Sequence, residues 1–356
     1  MIVRTAGSWI NVFAVVLCAT AILVLDAARS SGRSQAVDSV PAPADIWRSI
    51  FSRPDTIPSP KNNPLTKEKT ALGRSLFFDK RLSREGRRNC ASCHDPAKGF
   101  SDGSMTALGR NGRPLKRNTM SLWNLAWAKS FYWDGRRPSL EEQARVPIEH
   151  PNEMGGSLRD VAVLLQGDAD YRRRFQRAFP ASGKISDETI LQAIGSFERS
   201  LVSPRTRFDQ WIEGATSAIT IQEYRGFQLF VGKAGCLACH GGWRFTDDRF
   251  HDIGLKTTDL GRGALADPDG PRAPRFKTPG LRELFHSKPY MHNGSMASLR
   301  QIIEHYNGGF ERRASLAANV VRDLKLSPQE RNDLVAFLGT LSSDISPAQP
   351  NSQRAE

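Results

Sequence analysis

The sequence predicts a mainly α-helical chain of two similar halves, with long loops between helices. Three observations carry this expectation. Apolar residues recur at helical spacing in several segments, and no convincing run of alternating strand positions is present. One pentapeptide pattern, C-x-x-C-H, occurs twice, as Cys90-Ala91-Ser92-Cys93-His94 and Cys236-Leu237-Ala238-Cys239-His240. The residues around the two copies repeat one another.

Length and composition set the bounds. At 356 residues the chain is too long for one compact core and suits two domains. Hydrophobic residues make up 39%, as in a globular protein. The formal net charge of +13 points to an acidic protein partner, since no nucleic-acid motif is visible. A general basic bias is the bland alternative.

Residues 1–28 read as a signal peptide. Arg4 precedes the apolar run Val12 to Leu25, and Asp26-Ala27-Ala28 offers small residues for cleavage. The run is short for a membrane span, though an uncleaved inner-membrane anchor is the rival reading. Cys18 follows Leu17, which argues against a lipoprotein site. Residues 29–64, rich in Ser, Pro and Ala, read as a flexible lead-in. Two domains are then expected, at 65–205 and 206–345, followed by a disordered tail at 346–356.

Helix starts are marked by Ser139 with Glu142, Thr220 with Glu223, and Ser327 with Glu330, the last followed by Pro328. Helical periodicity is clear in 158–166, 187–201, 221–231, 298–306 and 329–341. In the last, Leu334, Phe337, Leu338 and Leu341 share one face.

The pentapeptides carry the chemistry. Two thiols two residues apart can each bond a porphyrin vinyl group, and the adjacent His then meets the iron. Zinc half-sites are the rival reading for a lone C-x-x-C, but the following His, present twice, argues for two covalent haem c groups. Four of the five cysteines are used in this way. Because c-type haem is attached outside the bacterial cytoplasm, the leader and the haems together indicate the periplasm.

The repeat extends beyond the pentapeptides. Gly73-Arg-Ser-Leu-Phe-Phe precedes the first, and Gly226-Phe-Gln-Leu-Phe-Val the second. Phe100-Ser-Asp follows the first, and Phe245-Thr-Asp the second. Tyr132-Trp-Asp-Gly matches Met291-His-Asn-Gly. Each half therefore reads as a cytochrome c-like domain, and Trp133 in one stands where His292 stands in the other.

Several stretches resemble the bacterial di-haem cytochrome c peroxidases, and within them the MauG-like branch. They are the two pentapeptides, Arg117-Asn118-Thr119, Trp133-Asp134-Gly135-Arg136, Pro147 to Met154, Phe276 to Arg282 and Pro289 to Gly294, spanning about residues 65–341. The resemblance implies that hydrogen peroxide reacts at the first haem while the second stores and relays electrons. It places Glu153 in the distal pocket, where a carboxylate can move a proton during O–O cleavage. Gln143 and Pro147 match other distal positions. Typical members carry a removable His ligand eight residues before the conserved Asn. Here that position is Arg110, so the first haem is expected to be open. His150, near Glu153, is a minor candidate for that ligand.

At the second haem, Tyr306 takes the place of the usual Met, as in MauG-like proteins. Met291 and Met296 are the rival ligands. Trp133 matches a tryptophan between the haems. A calcium ion is implied between the domains, held by the Asn118 side chain and the carbonyls of Ser287 and Pro289. His251 and His292 match family positions without an assigned role.

The resemblance thus implies a peroxidase that oxidises residues of a protein partner. The alternatives are a peroxide-detoxifying enzyme fed by a small cytochrome or cupredoxin, and a non-catalytic two-haem electron carrier. A monomer or homodimer is expected.

Overall fold

The computed structural model describes residues 39–265, 272–317 and 323–344. The expected leader with Cys18, the first part of the lead-in and the tail lie outside the described residues. Among the described residues no helix is long and apolar enough to cross a membrane.

The fold is mainly helical, as expected. Ten α-helices are described: α1 (Asp45–Phe51), α2 (Lys67–Phe77), α3 (Leu140–Glu149), α4 (Leu158–Gly167), α5 (Ala169–Ala178), α6 (Asp187–Ser200), α7 (Arg207–Ile212), α8 (Ile221–Val231), α9 (Leu299–Glu304) and α10 (Pro328–Gly339). The only named strands among these residues are β1 (Phe250–His251) and β2 (Phe276–Lys277), an antiparallel pair.

Each half is built on one helix pair meeting at a glycine. In the first, α2 packs on α6. A Cβ at Gly73 would lie 1.9 Å from the Ala193 carbonyl oxygen. In the second, α8 packs on α10, and a Cβ at Gly226 would lie 1.9 Å from the Asp333 carbonyl oxygen. The backbones touch because no side chain intervenes. The repeated glycine is thus the contact point of each half.

Three of the helix starts differ in detail. Thr220 with Glu223 and Ser327 with Glu330 form both halves of a capping box. Ser139 only accepts from the Glu142 amide, so α3 has half of the expected box. The helix expected over 298–306 ends at Glu304 and continues as a π-helical turn, His305–Gly309.

The expectation of a flexible lead-in is corrected by α1. Trp47, Ile50 and Phe51 stand at i, i+3 and i+4, one face of a helix. Phe51 is fully buried against Phe208 (5.4 Å between ring centroids) and Phe245 (5.0 Å). Trp47 meets Phe227 edge-on at 5.4 Å. Burying such a side chain stabilises by about 1.5–3 kcal/mol. The segment before the first half therefore packs into the aromatic core of the second, with Phe230 and Phe337.

Gly226→Ala should force α8 from α10 and lower the thermal midpoint by several degrees, since overpacking costs about 1–3 kcal/mol. Circular dichroism melting checks this, and an unchanged midpoint would remove the close-approach argument.

Candidate functional site

The two C-x-x-C-H motifs form short 3₁₀ turns at Cys90–Ser92 and Cys236–Ala238. In both, the following His is turned by one hydrogen bond. His94 Nδ1 lies 3.0 Å from the Phe100 carbonyl oxygen, and His240 Nδ1 2.8 Å from that of Phe245. These bonds engage Nδ1 in both rings, so Nε2 is the nitrogen each could offer a metal. Phe100 and Phe245 hold left-handed φ values of 59° and 58°. Burial lowers the pKa of both imidazoles, favouring the neutral form that binds a metal. None of the four described cysteines is in a disulfide.

A cavity of about 250 Å³ opens in front of the second motif. Cys236, Cys239, His240 and Tyr306 all line it. Two thiols, an imidazole and a phenol converging on an interior space suit a covalent haem with two axial ligands. The π-helical turn carries Tyr306 to the cavity, and His305 Nε2 anchors that turn at 2.9 Å from the Ile253 carbonyl oxygen. Burial raises the Tyr306 pKa, with smaller contributions from the Cys236 and Cys239 thiols. A nearby metal charge would act in the opposite direction. Of the rival ligands, Met291 also lines the cavity, whereas Met296 pairs its backbone with Tyr290.

The first motif has a different neighbourhood. Helix α3 contains Pro147 in its last turns, and the loop after it folds back on the free carbonyls. Met154 N donates to Pro147 O (3.0 Å) and Gly156 N to Ile148 O (2.7 Å). This capping fixes Glu153. Burial raises the Glu153 pKa, against the charges of His150 and Arg136. The Glu153 charge in turn adds to burial in raising Tyr132. Tyr132 Oη donates to the Gln143 carbonyl at 3.2 Å, and the Arg136 guanidinium sits 3.5 Å over the Tyr132 ring. Glu153, Tyr132 and Arg136 thus act on one another, with the backbone carbonyls of Gln143 and Pro147 holding Tyr132 and the Glu153 loop.

His150 is largely exposed, with Nδ1 3.7 Å from Glu153 Oε1 and accepting the Asn152 amide at 3.3 Å. Arg110 pairs with Glu85 and donates to the Pro151 carbonyl at 3.1 Å. Its backbone N–H bonds the Asn152 carbonyl at 2.9 Å. Arg110 therefore braces the Glu153 loop.

Trp133 is buried where the two halves meet. Its Nε1 donates to the Asn118 carbonyl (2.9 Å), and its own carbonyl accepts Lys277 N (2.8 Å). Asn118 N donates to the His292 carbonyl at 2.7 Å. The indole also lines the second-motif cavity. Arg117 ties the same seam, with Nη1 2.6 Å from Asp134 and Nε 2.7 Å from Asp259. Burial alone would raise Asp134, but Arg117 and Arg136 hold it below the usual carboxylate range.

Asn118, Ser287 and Pro289, expected around a calcium ion, line the same cavity. Asn118 Nδ2 donates to Ser104 O at 2.9 Å, leaving its side-chain oxygen as the other polar atom. His292 stacks on Phe276 at 3.6 Å, and its Nε2 lies 3.2 Å from Thr257 Oγ1. Burial lowers its pKa to about 4. His251 Nε2 lies 2.7 Å from Asp247.

Sequence reading missed Tyr132 and Arg136, although both flank Trp133 in a motif already noted. It also missed Glu198 on α6, which is buried with no bonding partner for Oε2. Burial pushes its pKa up to about 8, Arg199 opposing. Its charge acts on Cys90.

A family model described as di-haem cytochrome c peroxidase matches residues 67–217, and one for cytochrome c matches 224–342. The chain is 46% identical to methylamine utilization protein MauG of Methylorubrum extorquens, over 93% of this chain and 94% of that one. It is 32% identical to cytochrome c551 peroxidase of Nitrosomonas europaea, over 79% and 82%. A solved MauG-like protein associated with microbial copper homeostasis superposes with a TM-score of 0.75 at 31% identity, over 90% of this chain and 98% of that one.

The Glu198 carboxyl holds its proton to higher pH folded than unfolded, where Glu titrates near ~4.3. Stability should therefore fall as pH rises toward about 8. His292, lowered to about 4, has completed its opposite contribution by about pH 7. Melting between pH 7 and 8 should show the decline, and Glu198→Gln should flatten it. A slope equal in both proteins would contradict the assignment.

Proposed function

Since the chain belongs to the di-haem cytochrome c peroxidase family, in its MauG branch, we propose that peroxide reacts at the first haem and that a protein partner is oxidised through the second. The chain is an oxidoreductase acting on peroxide, and its family carries two haem c groups. When bound, haem iron supplies the peroxide-binding centre and the store of oxidising equivalents.

The observation that carries the reading is the inequality of the two sites. Glu153 stands half-buried, its charge felt by Cys93 of the first motif, in a loop braced by Arg110. Tyr306 stands across the cavity of the second motif with His240. The Glu153 carboxyl would hold the proton that passes between the two peroxide oxygens as their bond breaks, so that one leaves as water, the other becoming a second water once two electrons and two protons arrive. Burial raises the pKa of Glu153, and a carboxyl that holds its proton more readily is better suited to taking one up and handing it on. Tyr132, Gln143 and Pro147 shape the space around that carboxyl. His94 and His240 would each hold a haem iron, and Tyr306 would add a second ligand at the second site. Trp133, clamped by both halves, relays electrons between them.

Asn118 and the carbonyls of Ser287 and Pro289 are the proposed calcium ligands, since neutral oxygens suit a hard cation. The basic surface supports an acidic partner, and the leader reading supports a periplasmic location. Tyr306 in place of a Met favours oxidation of a protein partner over simple peroxide removal, because an anionic hard ligand stabilises the oxidised centre.

Glu153→Gln should lower the peroxide reaction rate by about 10²–10⁴-fold with both haems still bound. Stopped-flow absorbance measures this, and an unchanged rate would remove Glu153 from the scheme. Tyr306→Phe should shorten the lifetime of the oxidised state formed by one equivalent of peroxide. An identical lifetime would exclude Tyr306 as the second site's ligand.

A further inference from the structure

We propose that Trp123 is a second redox relay between the two haem sites, running beside Trp133. The proposal rests on the relay reading of the protein, but on different residues. Trp123 belongs to the cluster of Phe77, Phe100, Leu122 and Phe197 that also abuts Cys90 and Ala91 of the first motif. Its ring meets Phe100 edge-on at 4.9 Å, and the Phe100 carbonyl is the one that holds His94. The same indole lines the cavity that holds Cys236, Cys239 and His240. One side chain therefore touches the surroundings of both sites, on the proximal side of the first.

The apolar cluster itself calls only for an aromatic ring here. Trp123 Nε1 is buried and has no hydrogen-bond partner. Phenylalanine would fill the same cluster without a buried N–H. Oxidation chemistry accounts for the indole, because indole gives up an electron far more readily than a phenyl ring.

The electron count closes with the established reaction. Reduction of one hydrogen peroxide to two waters takes two electrons and two protons. Trp123 gives one electron toward the first site, becomes a radical cation, and regains an electron from the second site, which the protein donor refills. No protein group among the described residues accepts from Nε1, so no side chain or carbonyl takes the indole proton. Trp133 is the easier indole to oxidise, since the Asn118 carbonyl accepts its N–H and stabilises positive charge on the ring. Trp243 is poorly suited, because the Arg53 guanidinium lies 5.4 Å over its ring. Among the described residues Trp123 bears no stacked cation.

The test compares Trp123→Phe, Trp133→Phe and the double variant as holoproteins, with both haems verified by absorbance. After one equivalent of hydrogen peroxide, stopped-flow absorbance follows the sharing of oxidising equivalents, and freeze-quench EPR with ring-deuterated tryptophan detects indole radicals. Trp123→Phe should slow sharing severalfold, and the double variant should lose the residual sharing left in Trp133→Phe. The melting temperature of Trp123→Phe should be unchanged or raised, because the orphaned donor is gone. A double variant indistinguishable from Trp133→Phe, or a lowered melting temperature with unchanged sharing, overturns the proposal. If Trp133→Phe alone is without effect while Trp123→Phe slows sharing, the Trp133 reading fails and this one stands.

Discussion

In each half one hydrogen bond connects the hydrophobic core to the chemistry. A phenylalanine in left-handed backbone conformation turns its carbonyl onto Nδ1 of the histidine that follows the two cysteines. Phe245 is buried among Phe51, Phe208, Phe230 and Phe337, and Phe100 packs against Phe77 and Trp123. Core packing therefore fixes the carbonyl, the carbonyl fixes the imidazole, and the imidazole presents Nε2. Any shift in the aromatic core is transmitted to the ligand, which is why the glycine contacts at Gly73 and Gly226 matter to the site as well as to stability.

The halves share this frame and diverge on the opposite side of the proposed cofactors. In the first, the loop after Pro147 caps α3 and holds Glu153 beside Tyr132 and Arg136. In the second, a π-helical turn brings Tyr306 to the cavity. The repeat also diverges at Trp133 and His292, which lie next to each other through the Asn118 backbone. Duplication supplied two equal frames, and these substitutions make the two sites unequal.

The seam between the halves is dense in bonds to the backbone. Trp133 is held at its ring nitrogen by Asn118 and at its carbonyl by Lys277, while Arg117 bridges Asp134 and Asp259. An electron relay depends steeply on distance, so a rigid seam serves it better than a mobile one. The strap formed by α1 adds to this rigidity by packing a segment from before the first half into the second.

The sequence by itself determined the helical class, the two covalent attachment points and the repeat that pairs Gly73 with Gly226 and Phe100 with Phe245. These are local signals, written in spacings of a few residues. The resemblance to a known family also singled out Glu153, Trp133 and Tyr306. What it did not show is how they are held, because the partners are distant in the chain: Trp133 bonds the carbonyl of Asn118 and the amide of Lys277, and Arg110 reaches Glu85 and Pro151. The helix at Asp45–Phe51 was hidden by its Pro- and Ser-rich surroundings, though Trp47, Ile50 and Phe51 had the right spacing. Glu198 and Trp123 were invisible for another reason. Each is unusual only because a polar atom is buried without a partner, and that is a property of the packed interior.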